Sequence, residues 1–489
     1  MPLLYSNSYK RVLFNSIEFA IFLPIVFLLY WFVFNKNLKL QNLFVVVVSY
    51  IFYGWWDWRF LFLIAFTSAC SFAAGLLIEK FKENPRKARM VNTLNIVVNL
   101  LILGLFKYYD FFATAFADAF LGGKADGLLL HLILPVGISF YTFQALSYSI
   151  DVYKGKLEPT RDIVQFFAFV SFFPQLVAGP IERATNLLPQ FSKPRQFEYE
   201  TGVDGMRQIL WGLFKKMVVA DNCAIYVDKV FSTYQIQSGS TLLLAAIFFA
   251  FQIYGDFSGY SDIAIGTAKL FGIKLMRNFN VPYFSRDIAE FWRRWHISLT
   301  TWFRDYVYIP LGGSRCSKAK IIRNTFVIFL LSGFWHGANW TFIAWGAYHA
   351  LLFLPLILMG KNRKYRDTVA QDRFLPNLKE FGQILMTFLL VVVGWIIFRA
   401  DSIEQAWEYF SGIIHPSLFT LPHLYVGTKR TLVVIALMLT GDWLFRKQDH
   451  TLQFGKKCPS WVCSLTSVLL VLITLEFAAH SQSFIYFQF

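Results

Sequence analysis

Within the sixty residues from Glu290 to His349, two histidines stand beside tryptophans and one of them follows adjacent arginines, in the order Arg293-Arg294-Trp295-His296 and then Trp335-His336-Gly337-Ala338-Asn339. An imidazole beside indoles, followed by a glycine and an asparagine that leave room for a ligand, is a candidate general base. Burial in apolar surroundings keeps the ring neutral, so it can take a proton from a hydroxyl and return it later. His336 closes a long apolar run, and an ionisable group in such sequence marks a functional site by default. His296 follows two arginines whose guanidinium groups suit phosphates or lipid headgroups. The plainer readings are a His336 that bridges two helices, arginines that reach toward headgroups, and an aromatic stripe that is packing surface. His349, thirteen residues beyond His336, reads as structural.

Other chemistries find little support. The chain has no H-E-x-x-H, no P-loop and no nucleophile elbow, and in Gly255-Asp-Phe-Ser-Gly259 the serine stands in the wrong place. His296 and His336 lack metal-ligand spacing, and the five cysteines show neither metal nor disulfide spacing, so no metal and no bound cofactor is expected.

The elements that must position these residues are membrane helices. Of 489 residues 56% are hydrophobic and 16% charged, with 55 Phe, 23 Tyr and 15 Trp, where a soluble domain carries about 25% charged residues. The net charge of +16 falls in short clusters between apolar runs, which suits an anionic membrane surface and excludes nucleic acid as a partner. Apolar runs near 19–34, 42–55, 60–78, 91–106, 128–150, 163–178, 241–254, 324–335, 340–358, 382–399, 431–445 and 461–479 predict an all-α polytopic membrane protein. With no repeat and no long linker it reads as one domain, 1–489. Some runs are short for a crossing, so re-entrant or half-length helices are expected.

Basic clusters at Lys36–Lys39, Lys80–Arg89, Arg315–Arg323, Lys361–Arg373 and Arg446–Lys457 set the cytoplasmic side, which leaves both termini extracytoplasmic. The interval between Arg323 and Lys361 is too short for two full crossings, so it must form a kinked helix or two arms with the break at Gly337–Asn339. Residues 201–231 predict an interfacial helix pair, and 173–183, with two prolines and a glycine, a re-entrant loop. Trp292, Trp295, Leu299, Trp302 and Tyr306 recur as one face of a helix. Asp256 and Asp262, inside an apolar span, need partners. The uncharged, aromatic C-terminus from Gln482 to Phe489 is expected to fray, to anchor in an aromatic belt or, as its alternating aromatics suit, to dock into a groove. There Tyr486 would be able to present its phenol to His336 as an acyl relay.

Five stretches resemble the membrane-bound O-acyltransferases, and among them the bacterial alginate O-acetyltransferase membrane-subunit branch. They are SFYTFQALSYSIDVYKG (139–155), FPQLVAGPIER (173–183), QIYGDFSGYSDIAIGTAKLFGI (252–273), FWRRWHISLTTWFRDYVYIPLGG (291–313) and SGFWHGANWTFIAWGAYH (332–349). The resemblance implies a multi-helix ring with a central funnel, a family histidine at His336 and a second at His296. It implies transfer of an acetyl group from a cytoplasmic thioester donor, acetyl-CoA, to a hydroxyl of an extracytoplasmic polysaccharide, or to a periplasmic or surface acetyltransferase partner. Peptidoglycan and teichoic acid are the acceptors in other relatives of the branch. The setting would be the bacterial cytoplasmic (inner) membrane, among its lipids. On this reading Arg293, Arg294, Trp335 and Asn339 bind the donor, and His296 or Asn339 meets the developing negative charge. The readings from other classes are a proton-coupled transporter or flippase using His336, Asp256 and Asp262, and a non-catalytic scaffold.

Overall fold

The computed structural model describes residues 14–123, 125–177, 179–455, 458–477 and 484–485. Among them every regular element is helical. Five helices are long and apolar enough to cross a membrane: Phe60–Lys80, Pro85–Lys107, Gly239–Leu270, Trp340–Leu358 and Leu378–Arg399. Ile17–Val33, Leu38–Gly54 and Ser460–Glu476 are shorter apolar helices. Lipid offers the backbone no hydrogen bonds, so the chain satisfies its own amides by coiling wherever it is apolar. Side chains mark several starts: Asn37, Asn84 followed by Pro85, and Asp162 each accept first-turn amides.

Contacts group the chain into two compact units. The first comprises Met1–Met206 with Ala264–Leu275. Its helices Phe60–Lys80, Pro85–Lys107 and Ile138–Tyr153 pack together. Their buried polar atoms bond to one another, Asn95 Nδ2 donating to Ser149 Oγ at 2.9 Å and Ser71 Oγ to Asn95 Oδ1 at 3.3 Å. Tyr30 and Trp31 bond the carbonyls of Phe271 and Leu270, which caps the end of the 239–270 helix. The 128–150 run becomes a helix only from Ile138, and the 163–178 run breaks after Ser171 ahead of Pro174.

The second unit comprises Arg207–Ile263 with Met276–Phe489 and contains every described candidate site residue. Here residues 201–231 depart from expectation. They belong to one helical run, Tyr199–Leu213, Phe214–Ala220 in π geometry, and Asp221–Ser232. Lys215 and Lys216 are buried rather than interfacial, because Lys215 pairs with Asp262 and Lys216 with Asp221 and Asp256, while Lys229 is exposed. An amphipathic helix lies instead at Ile403–Ile414, with Ile403, Trp407 and Ile414 exposed and Ala406, Tyr409 and Ile413 buried.

The 318–358 interval resolves into two helices of 19 residues, Lys318–His336 and Trp340–Leu358. At 1.5 Å per residue each is about 28 Å long, so the interval is a hairpin of two near-full lengths rather than two short arms. A Cβ at Gly333 would lie 2.1 Å from Phe342 O and one at Gly346 2.4 Å from Phe329 O. Those two glycines let the arms touch backbone to backbone.

Candidate active site

The 292–306 stripe is two short helices, Ile288–Arg294 and Ile297–Phe303. The break falls on His296, whose backbone is left-handed at φ +43°. That conformation disfavours a side chain. It is held from outside by Asn278, whose carbonyl accepts from Ile297 N at 2.8 Å, while Asn280 N donates to Arg294 O at 2.9 Å. The stripe residues Trp292, Trp295, Leu299 and Trp302 are all buried.

His296 itself is 1% exposed. Its Nδ1 lies 3.1 Å from Asn278 Oδ1, an oxygen that also accepts from Ser298 N and Ser298 Oγ. A main-chain amide can only donate, so it fixes which end of the Asn278 amide faces the ring. Nδ1 therefore carries the proton and Nε2 the lone pair. Burial pushes the imidazole down to about 3, so the ring is neutral at physiological pH.

His336 is the last residue of its helix and 5% exposed. Trp335, Trp345 and Phe398 stand edge-on around it with centroids at 5.1, 5.2 and 5.3 Å. Trp335 also packs on His296 at 5.9 Å. The two imidazoles thus both contact one indole. Asn339, by contrast, is occupied at both ends: Oδ1 caps the second arm at Thr341 N and Nδ2 donates to Asp401 O. The hairpin turn needs it there. Tyr486 lies outside the described residues.

Beside this aromatic cluster is a cavity of about 660 Å³ whose lining includes Arg293, Arg294, Arg304, Arg363, Arg366 and a single carboxylate, Glu290. Glu290 is held between Arg286 and Arg294, and Arg286 also pairs with Asp367. Arg294 is therefore tied by a buried ion pair, whereas Arg293 donates to the carbonyls of Asn362 and Tyr365. The segment 362–374 is gripped along its backbone, with Arg446 taking Val369, Ala370 and Arg373 carbonyls and Trp443 taking Phe374 O. This strap contributes Arg363 and Arg366 to the cavity. Trp292 lines the same cavity and packs on Trp345 at 5.5 Å, and Trp345 packs on His336. A row of rings therefore links the cationic cavity to the imidazole.

The structure brings together His296, Trp335 and His336, and separately places Arg293 and Arg294 on the cavity. Sequence reasoning missed Asn278, which sets the tautomer of a residue eighteen positions away. It also missed Arg304, Arg363 and Arg366. The last two stood in a basic cluster that reads equally well as a cytoplasmic loop signal.

Comparison with known proteins gives the family. Residues 158–393 match the membrane-bound O-acyltransferase family. The probable alginate O-acetylase of Pseudomonas aeruginosa is 39% identical over 426 residues, 87% of this chain and 79% of that one. The peptidoglycan O-acetyltransferase of Helicobacter pylori is 34% identical, covering 98% of each chain. The teichoic acid D-alanyltransferase of Bacillus subtilis is 31% identical over 55% of this chain and 69% of its own. A helical, multi-pass membrane protein of an acyltransferase family is the class defined so far. This chain belongs to the membrane-bound O-acyltransferase family and is an O-acyltransferase.

Proposed function

We propose that the protein moves an acetyl group from a cytoplasmic thioester, acetyl-CoA, to a hydroxyl of an extracytoplasmic polysaccharide, directly or by way of an exported acetyltransferase partner. The observation that carries this reading is the pair of buried imidazoles that both pack on Trp335, joined by packed rings to a cavity walled with arginines. Acetyl is favoured over D-alanyl because the relatives named for O-acetyl transfer match at higher identity and over more of this chain. Such a protein sits in the bacterial cytoplasmic membrane, and the basic loops put both termini on the outer side.

In this mechanism Arg293, Arg363 and Arg366 hold the donor's phosphates by charge-assisted hydrogen bonds. His336 takes the proton of the attacking hydroxyl as its oxygen closes on the thioester carbonyl. The carbon–sulfur bond then breaks and the departing thiolate receives the proton back. His296 cannot stabilise the oxyanion through Nε2, which bears the lone pair, and Asn339 is spent on the hairpin. His296 instead accepts a hydrogen bond from the reacting hydroxyl or thiol. The low dielectric of the ring cluster strengthens each of these contacts.

Peptidoglycan is the second acceptor reading, favoured by the end-to-end match to the Helicobacter pylori relative. The test is purified protein with labelled acetyl-CoA and either glycan. Transfer should be seen with wild type and lost in His336→Gln; transfer that persists in the variant removes His336 from the reaction. The carboxylates a transporter would need, Asp256 and Asp262, are each paired with a lysine.

A further inference from the structure

Asp256 lies inside the helix Gly239–Leu270 and is 3% exposed. Lys216 Nζ approaches one carboxylate oxygen at 2.8 Å and holds Asp221 at 2.6 Å. The other oxygen accepts the main-chain N–H of Ile485 at 2.6 Å. The preceding residue, Phe484, packs its ring tilted against that of Tyr260 with centroids 4.1 Å apart, and both Phe484 and Ile485 are buried. A carboxylate aimed at a backbone amide, beside an aromatic wall for the neighbouring side chain, is how a surface holds an extended segment. Phe257 touches both sides of this arrangement, at 6.3 Å from Phe484 and 4.6 Å from His296.

We propose that Asp256, with Lys216 and Tyr260, forms a seat for the chain's own segment Phe484–Ile485, and that an occupied seat fixes Phe257 and through it His296. Asp256 and Phe484 are then positioning residues for acyl transfer, neither touching the reacting atoms. The occupant is this chain's own tail, since its N–H supplies the contact; a second copy's tail in the same seat is an outcome the test detects. The inference rests on the acyl-transfer reading above for its activity readout, and on the seat alone for its binding readout.

The experiment uses the full chain, a chain ended after Ser483, and full-length Phe484→Ala and Asp256→Asn, all purified in the same detergent. The ended chain and Phe484→Ala should keep their melting temperature and their KM for acetyl-CoA while kcat falls about tenfold or more, the usual scale for a displaced catalytic group. A synthetic octapeptide of residues 482–489 should bind the ended chain saturably and restore its kcat, and Asp256→Asn placed in the ended chain should abolish both effects. Phe484→Ala or the ended chain folded and working at the full rate overturns the proposal, as does a folded ended chain that the peptide neither binds nor restores. Crosslinked dimers that form only with an intact tail would assign the seat to a second copy and overturn the assignment in cis. If His336→Gln retains activity, the acyl-transfer reading fails while labelled-peptide binding still reports on the seat.

Discussion

Two buried polar regions of the second unit keep their polar atoms in opposite ways. Around Lys215 and Lys216 charges are matched, Asp262 with Lys215 and Asp221 and Asp256 with Lys216, with the Tyr254 and Tyr260 rings beside the ammonium groups, and Tyr254 and Thr451 bond Asp442. Around His296 and His336 the neighbours are chiefly aromatic rings, with Asn278 and Ser298 at Nδ1 of His296. Matched charges in a low dielectric are rigid and costly to disturb. A neutral imidazole among rings is held in place by shape while its proton chemistry stays cheap. The difference separates a frame from the proposed reaction centre within one apolar unit.

Substitutions can break that contrast, and the largest effect is expected in the ring region. His336→Ala should cost about 10²–10⁴-fold in acyl transfer, the usual worth of a positioned base, with little change in melting temperature. Activity assays paired with thermal unfolding check both halves. Lys216→Met should do the reverse. It strands two carboxylates and should cost about 3–5 kcal/mol of stability, read as a large drop in melting temperature in detergent.

The cavity sharpens the contrast further. Arg363→Gln and Arg366→Gln should each raise KM for acetyl-CoA by roughly tenfold with kcat nearly unchanged, as loss of a charged hydrogen bond to a non-reacting phosphate does. An equal fall in kcat would move those arginines into the reaction itself. The smallest effect concerns pH. Burial depresses His296, so its neutral form is favoured in the folded state. The unfolded chain protonates this imidazole near its ordinary value of about 6.5 and the folded one does not. Its stability contribution is therefore present above that pH and lost as pH falls toward about 3. His296→Asn should flatten that part of the stability–pH curve.

The sequence made some of this legible and not the rest, for physical reasons. Helix existence followed from apolar length, because lipid imposes coiling on any long apolar run. His336 stood out because an imidazole is expensive in such surroundings. The hairpin at Gly337–Asn339 was foreseen as a break, yet its arms proved near-full helices because Lys318 and Lys320 extend the first arm beyond the apolar run. The 292–306 stripe kept its periodicity through the break at His296, so spacing alone read as one helix. Residues 201–231 looked interfacial because lysines fell at amphipathic spacing. Their partners Asp256 and Asp262 lie tens of residues away, and no local pattern links them. Asn278 beside His296 is hidden for the same reason. Of the tail, Phe484 and Ile485 are described and are buried, as its uncharged aromatic composition suited.

The most direct test of the two-imidazole site is single-turnover release of free thiol from acetyl-CoA, with acceptor glycan present, by wild type, His336→Gln and His296→Gln. The site as described predicts acceptor-dependent thiol release in wild type, essentially none in His336→Gln, and a slowed but measurable phase in His296→Gln. Undiminished acceptor-dependent release in His336→Gln would contradict it.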